Sequence, residues 1–165
     1  MVCGLKEVLN IVLKNIIWRF PLCFLFQEDF DSLRPLCYPN TDAFIVCFSV
    51  MSPTSFANVS QKWVPEIREN GKEEVPVILV GTHSDQRTNV QLLLRLSEKG
   101  QQPVSAKRAE QLVKKIGGIC YVETSSITQK NLKEVFDEAI SSGIKPPPHS
   151  KLRRGDFIGC MCSVM

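Results

Sequence analysis

Two polar runs end apolar stretches of this chain. Thr82-His83-Ser84-Asp85 (THSD) closes the segment that starts at Val75, and Thr124-Ser125-Ser126 (TSS) closes the one that starts at Ile119. Taken singly, an aspartate in a strand-to-helix loop is a turn former and a serine pair is loop material. Taken together, both runs fall where open α/β sheets hold ligands, outside the carboxyl ends of strands. No GxxxxGK[ST] motif occurs between Met1 and Met165. That motif supplies the backbone N–H groups and lysine that hold phosphates, and the hydroxyl that reaches magnesium. A third chemical signal is terminal: Cys162-Ser163-Val164-Met165 fits a prenylation box, with the final methionine favouring farnesyl. One lipid chain binds a membrane only marginally, so a second signal is needed. Cys160 offers a palmitoylation site, and Lys145, Lys151, Arg153 and Arg154 form a basic patch, each charge worth about 1 kcal/mol near an anionic leaflet.

The elements that must position these residues are legible from Asp42 onward. Ala43–Val50 (AFIVCFSV) is the near-continuous apolar run of a strand covered on both faces. Ser52-Pro53 gives an N-cap followed by proline at the first helical position. Phe56, Val59, Trp63 and Ile67 recur at helical spacing up to Gly71. Val75–Val80 predicts a second strand. Val90–Glu98, with Leu92, Leu93 and Leu96, predicts a short helix, and Ser105–Ile116 a longer one stopped at Gly117-Gly118. Ile119–Glu123 predicts a third strand. Asn131 is expected to cap a last helix with Leu132, Val135, Phe136, Ala139 and Ile140 on one face, ended by Pro146-Pro147-Pro148. Alternating strands and helices imply right-handed crossovers and a mostly parallel sheet with helices on both faces.

The 165 residues suit one domain, able to bury roughly 70% of its unfolded surface. A net charge of +3 is too slight to indicate a nucleic-acid partner. Seven cysteines without a CxxC or Cys/His pattern read as reduced, cytosolic usage, with no metal site. Met1–Phe26 is apolar, but Lys6, Glu7, Lys14 and Arg19 cut it into runs shorter than the roughly 18 to 20 residues of a spanning helix. A signal peptide is disfavoured for the same reason.

Gln27–Phe56 (QEDFDSLRPLCYPNTDAFIVCFSVMSPTSF), GTHSDQR with the helical segment after it, and TQKNLKEVFDEAI (Thr128–Ile140) resemble a Rho-family small GTPase. They look like its second switch and following strand, its base motif with the Rho insert helix, and its last helix. The closest look is to the atypical RhoU/RhoV-like branch or the Rac relatives. The resemblance implies a three-layer α/β domain of the P-loop small-GTPase type, here lacking the first strand, phosphate loop and first switch. It divides the chain into an apolar segment unlike the family (1–26), a partial GTPase domain (27–144) with the insert at 88–102, and a Pro/basic tail (145–165).

Residue by residue, the resemblance implies that Asp85 accepts from the guanine ring N–H and exocyclic amine, a donor pair adenine lacks. Thr82 braces the loop. His83 stands where lysine is usual and covers one face of the base. Ser125 supports Asp85, and the Ser126 backbone N–H meets the guanine carbonyl, at a position where alanine is usual. Gln27 matches the water-orienting glutamine of the family. It follows Leu25-Phe26 instead of the run that reaches magnesium and the γ-phosphate, so Gln27 alone cannot catalyse. Arg34-Pro35-Leu36 and Phe30 resemble the surface shown to exchange factors and effectors.

The implied ligands are GTP and GDP, bound weakly or not at all, with Mg2+ in the family but its ligands missing here. The implied partners are Rho exchange factors, effectors such as kinases, and an anionic membrane surface. The implied place is the cytoplasmic face of a membrane through a lipidated C-terminus, otherwise the cytosol. Three readings follow: a membrane-associated signalling GTPase of which this chain is an N-terminally truncated form, with hydrolysis impaired; a non-catalytic interaction module that engages regulators or effectors without cycling nucleotide; or a fragment that does not fold stably. In the family sheet the phosphate-loop strand lies beside Ala43–Val50, so its loss leaves an apolar edge. Val8–Trp18 is expected to supply a helix or a substitute strand, and Phe20–Phe26 a strand leading into Gln27.

Overall fold

The computed structural model describes residues 8–11, 38–39, 41–72 and 74–144. They form a four-stranded sheet in the order β1-β2-β3-β4. The strands are β1 (Val8–Ile11), β2 (Ala43–Ser49), β3 (Val77–Thr82) and β4 (Tyr121–Glu123). β2, β3 and β4 run parallel, with Val46 beside Leu79 and Leu79 beside Tyr121. Each pair of parallel strands is joined through helices, as the alternation in the sequence requires.

β1 takes the edge of β2 in the opposite direction. Val8 pairs with Val46 and Ile11 with Ala43. The strand therefore starts beside the carboxyl-terminal half of β2 and finishes beside its first residue. Of the two expectations for Val8–Trp18, these four residues take the substitute strand. Phe20–Phe26 lies outside the described residues.

The pleat sorts β2 into two cores, because successive side chains point to opposite faces. Phe44, Val46 and Phe48 pack with Val59, Trp63, Ile67, Leu79 and Leu112 in the larger cluster. Ala43 and Ile45 pack with Ile78, Val80, Val135 and Ala139 in the smaller one, where Cys47 and Cys120 are partly buried. Phe48 joins the layers of the larger core through rings, 5.0 Å from Phe56 edge-on and 6.0 Å from Tyr121 in a near-parallel stack. Such pairs add about 0.5–1.5 kcal/mol beyond their burial.

The helix after β2 opens as the sequence predicts. Ser52 accepts from the Ser55 N–H at 3.2 Å, with Pro53 at the start of α1 (Pro53–Asn58). It does not continue as one α-helix. A π-helical turn, Val59–Trp63, separates α1 from α2 (Val64–Asn70). Pro65 is the physical reason: it has no N–H and its ring would strike the carbonyl four residues back, so a wider turn just before it relieves the clash.

Asn89 caps α3 (Val90–Glu98) by accepting from Leu92 N–H at 3.3 Å. Leu92, Leu93 and Leu96 turn toward the larger core, while Leu94 is 59% exposed. Ser105 caps α4 (Ala106–Ile116), which Gly117 ends at φ 67, a left-handed position favouring glycine. α5 (Leu132–Ile144) buries only Val135 and Ala139 of its expected apolar face. Phe136 and Ile140, on the same face, are 46% and 42% exposed, so only part of that face is covered. Asn131 precedes α5 at φ 53: its backbone carbonyl accepts from the Val135 N–H at 3.3 Å, while its side-chain amide donates to the Glu123 carbonyl at 3.0 Å in place of a side-chain cap.

Candidate functional site

The carboxyl ends of β3 and β4 lie side by side, since Gly81 pairs with Glu123. The two polar runs leave the sheet from there, and backbone bonds tie them together. Thr124 N–H donates to Gly81 O at 2.8 Å, and Ser84 N–H donates to Thr124 O at 3.1 Å. Such close approach demands a small residue. A Cβ on Gly81 would stand 2.9 Å from Val50 Cγ1 and collide with the Tyr121 hydroxyl.

Thr82 ends β3 and donates its hydroxyl to the Phe48 carbonyl at 3.1 Å. Its Oγ1 also lies 3.0 Å from His83 Nδ1. A threonine hydroxyl carries one hydrogen and a carbonyl can only accept, so His83 donates from Nδ1 to the Thr82 oxygen. His83 itself sits at φ 61, and this left-handed residue turns the chain into a 3-10 segment, Ser84–Thr88. That conformation is tolerated by histidine more readily than by branched side chains.

Asp85 lies in the 3-10 segment, half-buried. Ser125, 1% exposed, donates its hydroxyl to Asp85 Oδ1 at 2.5 Å. The same Ser125 oxygen accepts from the Thr128 N–H at 3.2 Å, which closes the turn behind it. A carboxylate offers about four lone-pair sites, so acceptance from one serine leaves capacity for a pair of outside N–H donors. Ser126 is exposed beside it, and its carbonyl accepts from Gln129 at 3.2 Å. Thr82, His83, Asp85, Ser125 and Ser126 are thus brought to one end of the sheet. Gln27, Cys160 and Cys162 lie outside the described residues, as do the basic tail and the Phe30 to Leu36 surface.

The sequence reading missed the group that braces this end. Arg87 donates from Nε to Glu123 Oε2 at 3.0 Å and from Nη2 to Glu123 Oε1 at 2.6 Å. Nη2 also donates to the Val104 carbonyl at 2.7 Å. Tyr121 donates its hydroxyl to Glu123 Oε1 at 2.9 Å. Burial opposes ionisation of Glu123, but the hydrogen bonds from Arg87 and Tyr121 outweigh it and hold the carboxyl below its ordinary value. Burial, then the bond to Glu123, pushes the Tyr121 hydroxyl well above its ordinary value. The hydrogen bond to Glu123 raises Arg87 against the opposing effect of burial. A signal was present in the sequence: Arg87 stands two residues after Asp85, and Glu123 two before Ser125, with opposite charges.

Among the described residues no cluster of His, Cys, Asp or Glu could hold a metal ion. No helix among them is long and apolar enough to cross a membrane.

A family profile described as the Ras family matches residues 26–145. Curated relatives include "Rho-related GTP-binding protein RhoV" from Mus musculus, Homo sapiens and Rattus norvegicus, each 53% identical over 120 residues. The match covers 72% of this chain and 50% of each relative, so the chain spans about half the length of the curated relatives it matches. With three parallel strands flanked by helices and a family match over most of its length, this chain belongs to the Ras family of small GTPases, on its Rho branch.

Proposed function

We propose that the chain is a Rho-type guanine-nucleotide-binding protein of membrane-associated signalling whose base seat is intact and whose phosphate cradle is impaired. The observation that carries this reading is the 2.5 Å bond from Ser125 to Asp85 Oδ1 at the carboxyl ends of β3 and β4. Asp85 accepts the guanine donor pair, Ser125 holds that carboxylate, and Thr82 fixes the loop. His83 covers one face of the base, and the Ser126 N–H meets its carbonyl. Base selectivity follows because a buried acceptor left without its donors costs about 1–3 kcal/mol.

For the phosphates and Mg2+, the residues at hand do not fit. The sequence holds no GxxxxGK[ST] loop, and the strand beside β2 runs antiparallel. Ile11, the last residue of β1, pairs with Ala43, at the end of the sheet opposite Asp85 and Ser125. Hydrolysis and tight nucleotide binding by this 165-residue polypeptide are accordingly weak or lost, and Gln27 lacks the electrostatic partners that phosphoryl transfer needs.

The reversed strand also favours the second reading, a non-catalytic module that engages Rho regulators or effectors. In both readings residues 27–144 are the partial GTPase domain with its insert at 88–102, and the tail carries prenyl on Cys162, palmitoyl on Cys160 and basic residues for an anionic leaflet. Labelled GDP with magnesium separates them. Weak, magnesium-independent binding that D85N abolishes supports the guanine-binding protein. No binding at millimolar nucleotide supports the module. Turnover of GTP at the rate of intact relatives overturns the impairment.

A further inference from the structure

We infer that Arg87 is a positioning residue for the guanine-reading carboxylate, holding the Asp85 segment against the strand end that carries Ser125; this rests on the base seat proposed above. The argument is geometric. Asp85 and Arg87 share one 3-10 segment, and Glu123 and Ser125 flank Thr124 on the facing chain. Two side-chain links join the two chains, Ser125 to Asp85 at 2.5 Å and Arg87 to Glu123 at 2.6 and 3.0 Å. Between them runs the backbone bond from Ser84 N–H to Thr124 O at 3.1 Å. The result is a closed ring of contacts in which Asp85 cannot tilt without stretching the Arg87 fork.

The fork is built for position. A guanidinium meets a carboxylate through two parallel N–H donors, which fixes orientation as well as distance. Here the side chains are 29% and 20% exposed, so water competes only partly. Two further contacts hold the fork in place. The Val104 carbonyl receives Nη2 at 2.7 Å, and the Val104 N–H is itself tied to Val50 O at 2.8 Å at the end of β2. The Tyr121 hydroxyl occupies Glu123 Oε1 at 2.9 Å from within β4. Arg87 thus joins three chain segments behind the carboxylate while touching no ligand position itself. Through Val104 it also ties the loop after the insert helix α3 to the base seat, so the insert and the seat share one anchor.

A merely structural Arg87 would lower stability and leave base choice alone. The test is a millimolar titration of the full 15N-labelled chain with GMP and with IMP, which lacks the exocyclic amine that Asp85 reads. Wild type should prefer GMP, D85N should lose that preference, and R87Q should reduce the GMP-over-IMP ratio by about tenfold or more, since misplacement by about 1 Å is costly to oriented groups. E123Q, which removes the other half of the fork, should reduce the same ratio and decides the matter if R87Q does not fold. A wild-type ratio in a folded R87Q or E123Q chain, with D85N still unselective, overturns the positioning role and leaves the base seat standing. A wild-type chain without preference for GMP, or one whose preference survives D85N, overturns the base seat and this inference with it.

Discussion

The guanidinium of Arg87 grips both carboxylate oxygens of Glu123, at 3.0 and 2.6 Å, across a gap of 36 positions in the chain. This pair, half-buried at the carboxyl ends of β3 and β4, sits behind the polar edge of the sheet. Hydrogen bonds to charged groups contribute about 1.5–3 kcal/mol when shielded from water, and partial exposure lowers that. E123Q is expected to cost about 1–2 kcal/mol and to lower Tm by about 2–8 °C for a chain of this size. Scanning calorimetry of the two proteins at neutral pH reads it, and an unchanged Tm would contradict a stabilising fork.

The same carboxyl sets a pH dependence. Its folded pKa lies below the ordinary 4.5, so the unfolded chain binds its proton first as pH falls. The stabilisation is therefore complete above about pH 5 and drains away as pH drops through the lowered folded value. Wild-type Tm should fall between about pH 5 and pH 3, and E123Q should show a shallower slope in that window. Parallel slopes would mean that Glu123 is not among the groups driving acid unfolding.

Gly81 and Tyr121 give a prediction about packing. A methyl on Gly81 collides with the Tyr121 hydroxyl, and that hydroxyl is held by Glu123 Oε1 at 2.9 Å. G81A should destabilise by about 1–3 kcal/mol, the usual cost of overpacking. Removing the hydroxyl gives room, so Y121F should recover part of the loss in the double variant, although the Tyr121 ring carbon at 3.1 Å and Val50 Cγ1 at 2.9 Å still crowd the site. A double-mutant cycle in urea measures this coupling. Additive effects would place the strain at Val50 and the Tyr121 ring, not at the hydroxyl.

Ser125 carries two bonds that one substitution removes together. S125A leaves Asp85 Oδ1 without its donor and the Thr128 N–H without its acceptor. With Ser125 1% exposed, water replaces neither bond easily. A loss of about 1–3 kcal/mol in unfolding free energy is expected by urea titration. S125T, which keeps a hydroxyl, should recover most of it where the extra methyl fits, and failure of any hydroxyl to matter would argue that the turn alone holds Asp85.

Much of the strand and helix order was legible because apolar runs and caps are local signals. β2 and α4 fall within a residue of the expected bounds, and Ser52, Asn89 and Ser105 cap as their types dictate. β3 was expected from Val75 and begins at Val77, since Pro76 has no N–H for the ladder and supplies only its carbonyl, to Phe44 at 2.9 Å. The π turn at Val59–Trp63 was not legible, because apolar spacing hardly separates a π turn from an α turn and Pro65 was the only clue. The exposure of Phe136 and Ile140 was illegible for another reason: periodicity says which residues share a face, not which part of that face a neighbour covers. At the site, THSD and TSS marked the polar edge, whereas the Arg87 fork depends on a contact 36 positions apart that no local window contains.

β1 yields the last prediction. β2 reads AFIVCFS, a strand with high β-propensity and no charge, and its edge away from β3 would be an open template for pairing without cover. Val8–Ile11 occupies that edge in antiparallel register, Leu9 opposite Ile45 and Asn10 opposite Phe44. Antiparallel pairing satisfies the backbone groups of the edge as well as a parallel strand would, so cover does not require the direction a phosphate loop requires. Deleting residues 1–11 should therefore convert a monodisperse chain into soluble aggregates that bind thioflavin, read by light scattering and dye fluorescence at equal protein concentration. A deletion variant that stays monomeric with an unshifted Tm would show that the edge of β2 is covered by another part of the chain and that these four residues are dispensable to it.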